Sequence, residues 1–236
     1  MRILSKSRLA ATIALLALSC ARHMPWHDEV PGAEVNLAFT MERNLIELST
    51  VRVNNHRGRF LLGTAAQRSV IDPSFPPARH HALQLTAKET VRLSPTTHDL
   101  GGVADAIIGA EPWGTRAITI DYHGGLVTFQ KLGIHPGMMK VYRFDHAPMI
   151  YVNVDGREVA AIVDTTSPDT IVLPRAERGR GTARITIAGS DFGVMDVGYA
   201  NIAQARVGNR LLSKFMITID YGKHVVGLWR DPRIAL

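Results

Sequence analysis

The sequence predicts an all-β protein made of two similar units that follow each other along the chain. The word ITIDY occupies residues 118–122 and returns at 217–221, a separation of 99 residues. Short apolar runs separated by turn residues recur throughout the chain, which is typical of strands. With 236 residues and 46% apolar content, the chain can bury a core as one large domain or as two small ones.

The two units align without gaps in two blocks. Residues 51–73 (VRVNNHRGRFLLGTAAQRSVIDP) match residues 152–174 (VNVDGREVAAIVDTTSPDTIVLP) at a separation of 101. Residues 105–122 match residues 204–221, which aligns two glycines that each follow an apolar residue. Few positions are identical, so the order of apolar and polar residues carries the match. We infer an internal duplication.

Each unit is predicted to begin with the same order of elements. Valines alternate with a polar residue at 51–53 and at 152–154, which predicts a strand with one apolar face. A two-residue turn follows at 54–55 and at 155–156, and the second of these, Asp-Gly, is a strong hairpin signal. An apolar strand, a short polar loop and another apolar strand complete the pattern.

One helix and one linker interrupt this pattern. Residues 209–215 have apolar side chains at helical spacing behind Asn209, which is suited to be the helix cap. Glycine and proline at 132–147 predict a linker. The predicted division is a signal peptide at 1–19, an N-terminal linker at 20–44, a first lobe at 45–131, an interlobe linker at 132–147 and a second lobe at 148–236.

The N-terminus predicts export. Basic residues precede an apolar run from Leu9 to Leu18, which is shorter than the roughly 20 residues that span a bilayer and is typical of a secretory signal. Cys20 follows Ala17-Leu18-Ser19, and this order resembles the lipobox of bacterial lipoproteins, in which the cysteine becomes the acylated first residue. The resemblance implies a lipid anchor in the cell envelope. The alternative is an ordinary signal peptide cut further on, which leaves a periplasmic protein.

The charge does not indicate a nucleic-acid partner. The formal charge is +6, but three of the 27 basic residues and none of the 21 acidic ones lie in residues 1–19, which leaves 24 against 21, or +3, after export. The densest basic run, 175–184, holds four arginines without an aromatic residue for base stacking. We interpret this run as a solvated loop.

Metal and cofactor motifs are not evident. His80 and His81 are adjacent, so a strand would direct them to opposite faces, and His23 and His27 lie in the predicted N-terminal linker. The sequence has no glycine-rich phosphate loop. We therefore predict neither a metal nor a cofactor.

The apolar strand of the second unit ends in Asp164-Thr165-Thr166, and the order of elements around it resembles the retropepsin pattern. Two such units in one chain resemble a bilobal, pepsin-like aspartic protease over roughly residues 45–230. The resemblance implies two similar β-barrel lobes with a cleft between them. It also implies a peptide or polypeptide as the partner in that cleft, and a monomer as the working unit.

The resemblance further implies a pair of aspartates, one at the tip of an apolar strand in each lobe. Two such carboxyl groups share one proton, so that one activates water and the other polarises the substrate carbonyl group. The second-lobe aspartate corresponds to Asp164, whereas the equivalent first-lobe residue is Gly63, which has no side chain to titrate. The chain is therefore expected to have the fold of an aspartic endopeptidase, a lone catalytic candidate, and impaired or lost proteolysis.

Three threonines flank this predicted site. The resemblance implies that Thr64 and Thr165 are buried and hydrogen-bond across the lobe junction, which satisfies hydroxyl groups that are costly to bury alone. Thr166 stands where the family has glycine, and we expect its branched side chain to crowd the junction. The fold is expected to persist where the catalytic pair does not.

Three functions remain open from the sequence. The first is a peptide-binding protein with little or no catalysis. The second is an active peptidase that pairs Asp164 from two chains or recruits another acid, such as Asp72 or Asp105, although we interpret both as solvated loop residues. The third is a structural envelope protein without a ligand. Asp121 and Asp220, in the repeated words, are expected to hold turns.

Acylation at Cys20 can be checked by mass. Intact-mass analysis of protein extracted from the envelope should show a chain that begins at Cys20 and carries added acyl mass. The Cys20→Ser variant should lose this mass and leave the membrane fraction. A soluble wild-type product cut at another bond would contradict the anchor but not the fold.

Overall fold

The computed structural model describes residues 34–114, 116–130, 133–134 and 140–230. The predicted signal peptide, Cys20, His23 and His27 lie outside these ranges. Within the described part of the chain, no helix is both long and apolar enough to cross a membrane.

The described residues form an almost entirely β structure, as the sequence predicts. One short helix of each kind interrupts the strands, a 3-10 helix η1 (Glu111–Trp113) and an α-helix α1 (Asn209–Leu212). The strands in chain order are β1 (Val35–Glu42), β2 (Leu45–Leu48), β3 (Arg52–Val53), β4 (Phe60–Leu62), β5 (Val70–Ile71), β6 (His81–Gln84), β7 (Thr90–Leu93), β8 (Thr96–Thr97), β9 (Ala106–Ile108), β10 (Ala117–Asp121), β11 (Leu126–Gln130), β12 (Lys140–Arg143), β13 (Met149–Val154), β14 (Arg157–Val163), β15 (Ile171–Pro174), β16 (Gly179–Ile187), β17 (Ser190–Ala200), β18 (Ala205–Val207), β19 (Met216–Asp220) and β20 (Val225–Trp229).

The second lobe is a closed β-barrel. Its strands follow the order β13-β14-β18-β15-β17-β16, and β16 pairs with β13 to close the ring. Alternating side chains point inward, and Ile150, Val152 and Ile187 are at most 1% exposed. The barrel interior is therefore the core of this lobe.

The first lobe combines strands from two sheets. Strands β2, β4, β9, β5 and β8 are neighbours at one side of an eleven-stranded sheet with the order β12-β20-β19-β10-β11-β1-β2-β4-β9-β5-β8, and β3, β6 and β7 form a small separate sheet. Phe60, Trp113 and Phe129 are fully buried here, and the rings of the last two have centroids 4.3 Å apart. These aromatic side chains fill the core of the lobe.

The repeated word forms the strand pair that joins the two lobes. Its first copy lies in β10 and its second in β19, which pair antiparallel with Ile118 opposite Ile219 and Thr119 opposite Thr218. The two threonine hydroxyl oxygens are 2.8 Å apart and buried. Because each copy pairs with the other around this threonine pair, the duplication in the sequence becomes a local twofold symmetry in the fold.

Asp121 and Asp220 hold the turns that follow these two strands, as expected. Oδ1 of Asp121 accepts hydrogen bonds from the backbone N–H groups of His123 and Gly124 at 3.0 and 2.9 Å. Oδ1 of Asp220 accepts one from the N–H group of Lys223 at 2.9 Å. Each carboxylate satisfies backbone donors that the turn leaves without a strand partner.

The two predicted turns form, but only one closes a full hairpin. Asp155 and Gly156 have φ angles of 50° and 83° and join β13 to β14. Asn54 and Asn55 also have positive φ angles, yet β3 pairs with β6 and not with β4. Residues 56–59 (HRGR) lack the apolar alternation that would extend a hairpin from this turn.

Both segments predicted as linkers contain strands. Strand β1 lies inside the segment 20–44 and pairs with β2 and β11, and β12 lies inside 132–147 and pairs with β20. In β1, Val35, Leu37 and Phe39 are buried and alternate with more exposed residues. This alternation lies outside the aligned repeats, so there was no second copy of it with which to identify the strand.

The basic run 175–184 is not one solvated loop. Strand β16 begins within it and carries Arg180 and Arg184 on its outer face, while Ala183 and Ile185 point into the barrel. The strand forms because β17 pairs with it along most of its length. The charged residues occupy only the face that meets solvent.

Replacing one member of the buried threonine pair should cost more stability than replacing both. Thr119→Val leaves the hydroxyl group of Thr218 without this partner, at an expected cost of about 1–3 kcal/mol. The double variant Thr119→Val, Thr218→Val removes both hydroxyl groups and keeps side chains that favour strands, so its free energy of unfolding should lie within about 1 kcal/mol of wild type. Urea denaturation of the four proteins measures this cycle, and additive losses would contradict the pairing.

Candidate functional site

Asp164 lies at the end of barrel strand β14. The strand ends at Val163, and the backbone N–H group of Asp164 donates to the carbonyl oxygen of Val207 at 3.0 Å, which extends the pairing with β18. Asp164 is only 1% exposed. A carboxylate buried to this extent needs partners within the protein.

Both carboxylate oxygens of Asp164 have such partners. Oδ2 accepts a hydrogen bond from Nη1 of Arg206 at 2.9 Å. Oδ1 accepts bonds from the backbone N–H group of Thr166 at 2.9 Å and from its hydroxyl group at 2.5 Å. The Arg206 side chain is 46% exposed, so one end of the guanidinium group pairs with the buried carboxylate while the remainder reaches solvent.

Gly63 is the residue that the repeat aligns with Asp164. Its backbone N–H group donates to the carbonyl oxygen of Ile108 at 2.8 Å, which matches the backbone placement of Asp164 in the other lobe. A Cβ atom at Gly63 would lie 2.4 Å from Cγ2 of Ile107 and 3.4 Å from Cγ2 of Thr166. Ile107 therefore occupies the space into which a side chain at this position would extend.

Ile107 and Arg206 are equivalent residues of the two repeats. They lie 99 residues apart, at the centres of strands β9 and β18. Arg206 pairs with the carboxylate of Asp164, whereas Ile107 fills the space beside Gly63. A cation accompanies the carboxylate in one lobe, and an apolar side chain accompanies the glycine in the other.

Thr64 and Thr165 bond reciprocally across the two lobes. The hydroxyl group of Thr64 donates to the carbonyl oxygen of Val163 at 2.6 Å, and that of Thr165 donates to the carbonyl oxygen of Leu62 at 2.5 Å. The backbone N–H group of each threonine donates to the hydroxyl oxygen of the other, at 3.1 and 3.2 Å. Both residues are at most 1% exposed, so these bonds fix the ends of β4 and β14 against each other.

Thr166 does not crowd the junction in the way that the sequence predicts. Its φ angle is not positive, so a β-branched residue fits without backbone strain. Its N–H and hydroxyl groups both bind Asp164, and its Cγ2 atom would lie 3.4 Å from a Cβ atom at Gly63. A side chain at position 63 would meet Ile107 first.

Asn209 joins the lobes and is not the helix cap that the sequence predicts. Helix α1 begins at Asn209, and Gly208 occupies the cap position. The fully buried Asn209 side chain donates from Nδ2 to the carbonyl oxygens of Asn44 and Thr165, at 2.6 and 2.7 Å. Its Oδ1 accepts a bond from the hydroxyl group of Tyr122 at 2.8 Å.

Tyr122 and Tyr221 end the two repeated words, and each reaches into the opposite lobe. Tyr122 binds Asn209, and the hydroxyl group of Tyr221 donates to the carbonyl oxygen of Thr64 at 3.3 Å. Burial raises the pKa of both phenol groups, so they remain protonated donors. Their presence in a duplicated word was the signal that could have identified them.

Asp72 and Asp105 are not the solvated loop residues that the sequence predicts. Asp72 is 6% exposed and accepts bonds from the N–H and hydroxyl groups of Ser74, at 2.9 and 2.6 Å, and from the N–H group of Leu100 at 2.7 Å. These hydrogen bonds lower the pKa of Asp72. Oδ2 of Asp105 accepts a bond from the N–H group of Arg59 at 2.7 Å. Both acids hold backbone of the first lobe.

The described residues at the lobe junction include one ion pair, between Asp164 and Arg206. Across the described ranges, no three His, Cys, Asp or Glu side chains come together in a way that could hold a metal ion. The Asp164 carboxylate is occupied by protein donors, and Gly63 supplies no second carboxyl group.

Of three comparisons with known proteins, the one with solved structures found a similar fold. No protein-family model matches the sequence, and no curated protein matches it. Among solved structures, the crystal structure of an aspartic proteinase from Irpex lacteus is similar, with a TM-score of 0.58 at 11% sequence identity. The similarity covers 85% of this chain and 98% of that chain. It shows the fold, which is the acid-protease fold with pepsin-like β-barrel lobes.

Removing Arg206 should destabilise the protein far more than removing a similarly exposed arginine. Arg206→Met leaves the Asp164 carboxylate buried without its cation, at an expected cost of about 2 kcal/mol, because the half-exposed arginine reduces the penalty of a fully buried pair. Arg210 is a matched control, since its side chain is 48% exposed but its partner Asp196 is 66% exposed. Arg210→Met should cost less than about 0.5 kcal/mol. Equal losses in chemical denaturation would contradict a structural role for the Asp164–Arg206 pair.

Asp72 should contribute to stability only above acidic pH. Its folded pKa is lowered, so its contribution is present above its unfolded pKa and is lost as the pH falls through the folded pKa. The stability difference between wild type and Asp72→Asn should therefore be constant above about pH 5 and shrink towards about pH 2. Thermal melting across this range measures it, and a difference that does not change with pH would contradict the assignment.

Proposed function

We propose that this protein binds an extended polypeptide in a cleft between its lobes and does not hydrolyse it. The observation that carries the proposal is the binding of the Asp164 carboxylate by Arg206 and Thr166, beside a glycine at position 63. Proteolysis by paired aspartates needs two carboxyl groups, one to activate water and one to polarise the carbonyl group. Only one of the two equivalent positions carries a carboxyl group.

The hydrogen bonds of Asp164 oppose its use as a general base. Water attack requires a carboxylate oxygen that water can reach, whereas Asp164 is 1% exposed and protein donors fill three of its roughly four acceptor sites, two on Oδ1 and one on Oδ2. The acids considered as replacements are also engaged, because Asp72 and Asp105 accept bonds from backbone N–H groups of the first lobe. These hydrogen bonds support the proposal of binding without a recruited second acid.

A polypeptide is the ligand that the fold favours. The similar Irpex lacteus structure is that of a proteinase, and a proteinase acts on polypeptides. An extended segment can add to the exposed backbone of strands by main-chain hydrogen bonds, and neighbouring side chains then supply specificity. The junction threonines come from one chain, so a monomer supplies both walls of such a cleft.

The proposal also places the protein outside the cytoplasm, anchored through an acylated Cys20. Its support is the sequence, in which basic residues and the apolar run precede this cysteine. An anchor of this kind would keep a binding protein at the envelope surface, where exported polypeptides are its available ligands.

Wild-type protein should not cleave unfolded polypeptide above the level of Asp164→Asn. Mass spectrometry of a disordered polypeptide, incubated with each protein between about pH 3 and 7, measures this. The two proteins should give the same intact substrate, because the Arg206 pair and Gly63 leave no catalytic pair. Cleavage that rises with protein concentration and disappears in Asp164→Asn would contradict the proposal and favour pairing of two chains.

Proteolysis should appear only when an aspartate at position 63 has space beside residue 107 and Asp164 is no longer paired with Arg206. Gly63→Asp alone brings its side chain against Ile107, where Cγ2 would lie 2.4 Å from the new Cβ atom, so this variant should stay inactive. Gly63→Asp with Ile107→Ala and Arg206→Ile should cleave peptide, and adding Asp164→Asn should abolish the cleavage. The matched control Ile107→Ala, Arg206→Ile lacks the second acid, and activity in this control would contradict the need for a pair.

A further inference from the structure

A row of outward-facing residues crosses the second-lobe barrel beside Asp164. Four residues lie opposite one another on neighbouring strands: Arg206 on β18, Val172 on β15, Gly198 on β17 and Arg180 on β16. Their side chains share one face of the sheet. This is the outer face, because buried residues flank them on β15, β17 and β18. The row begins at the arginine that binds Asp164 and ends at a second arginine.

A groove with a volume of about 610 Å³ lies along this row. The residues that matter to its chemistry are Asp169, Val172, Arg178, Arg180, Gly198 and Tyr199. Gly198 has no side chain, which leaves the floor open. The side chain of Val172 gives the groove an apolar part next to its charged residues.

The arginines of the groove are largely uncommitted. Arg180 is paired with Asp169 only at 3.8 Å, and its side chain is 77% exposed. Arg178 is exposed and makes no hydrogen bond or ion pair with a described residue. Arg175 is not one of them, because its guanidinium group stacks on the ring of Tyr199, with Cζ 4.7 Å from the ring centroid. Two arginines face one aspartate inside the groove, and the charge balance favours an anion.

We propose that this groove binds a carboxylate group of the polypeptide, from an acidic side chain or from a free C-terminus. Arginine presents paired N–H donors that match a carboxylate, and no described residue accepts a hydrogen bond from the guanidinium group of Arg178. The inference rests on the proposed function, because the groove adjoins Arg206 and would hold the part of the polypeptide that extends past Asp164. Val172 would contact the carbon atoms next to the bound carboxylate.

Fluorescence anisotropy with the mature chain and four labelled, disordered peptides of equal length tests the inference. The peptides are glutamate-rich, glutamine-rich and lysine-rich with amidated C-termini, and glutamine-rich with a free C-terminal carboxylate. The groove variant is Arg178→Gln, Arg180→Gln. The matched control is Arg143→Gln, Arg157→Gln, which removes the same charge from two other exposed arginines. Circular dichroism checks that each protein is folded.

Wild type should bind a carboxylate-bearing peptide about tenfold more tightly than the amidated glutamine-rich peptide. The groove variant should lose about tenfold of this affinity, the control less than about twofold, and salt should weaken the difference. A gain confined to the glutamate-rich peptide identifies side-chain carboxylates, and a gain with the free C-terminus identifies the chain end; both support the groove.

Three results would overturn the inference. If all peptides bind alike and the groove variant changes none of them, the groove is not a carboxylate site, while polypeptide binding stands. If both double variants lose the same affinity, the attraction is general and the groove has no special role. If no peptide binds wild type, the proposed function fails and the inference fails with it.

Discussion

The reciprocal hydrogen bonds between Thr64 and Thr165 are the constraint on which the rest of this structure depends. They tie together the ends of β4 and β14, the strands that lead to Gly63 and Asp164. Because these groups are buried, losing either hydroxyl group would leave backbone N–H and C=O groups unpaired at the centre of the molecule. Asn209 binds the same junction through the carbonyl oxygen of Thr165. The position of the two strand ends is thus fixed by residues next to positions 63 and 164, and not by the side chains at those positions.

The junction brings positions 63 and 164 together, but the residues that surround each position come from its own lobe. In the second lobe, Arg206 and Thr166 bind the carboxylate of Asp164, and in the first lobe Ile107 packs beside the glycine. The hydrogen bonds between Thr64 and Thr165 form with either arrangement beside them. The fold therefore does not require a second carboxyl group. This separation explains why similarity to an aspartic proteinase supports the fold, while the proposed function depends on the residues of the site.

Much of the fold could be predicted because the duplication presents each signal twice. The word ITIDY marked the strands that pair between the lobes, and the Asp-Gly turn at 155–156 marked a hairpin. Strand β1 lies outside the aligned repeats and was missed. The ion pair joins Asp164 to Arg206 across 42 residues of sequence and depends on the parallel register of β14 and β18, which the apolar pattern does not reveal. In the repeat alignment, the charged Arg206 stands opposite the apolar Ile107, and this difference was the signal in the sequence for the ion pair.

A peptide that carries a hydroxyl-bearing transition-state mimic tests the lone carboxylate most directly. A working aspartate pair binds such a hydroxyl group through both carboxyl groups, and transition-state mimics bind about 100-fold or more tightly than substrates. Titration calorimetry can compare the mimic with the same peptide lacking the hydroxyl group. Because Asp164 is already bound by Arg206, the two dissociation constants should agree within about threefold. A gain of about 100-fold that disappears in Asp164→Asn would contradict the lone-carboxylate site.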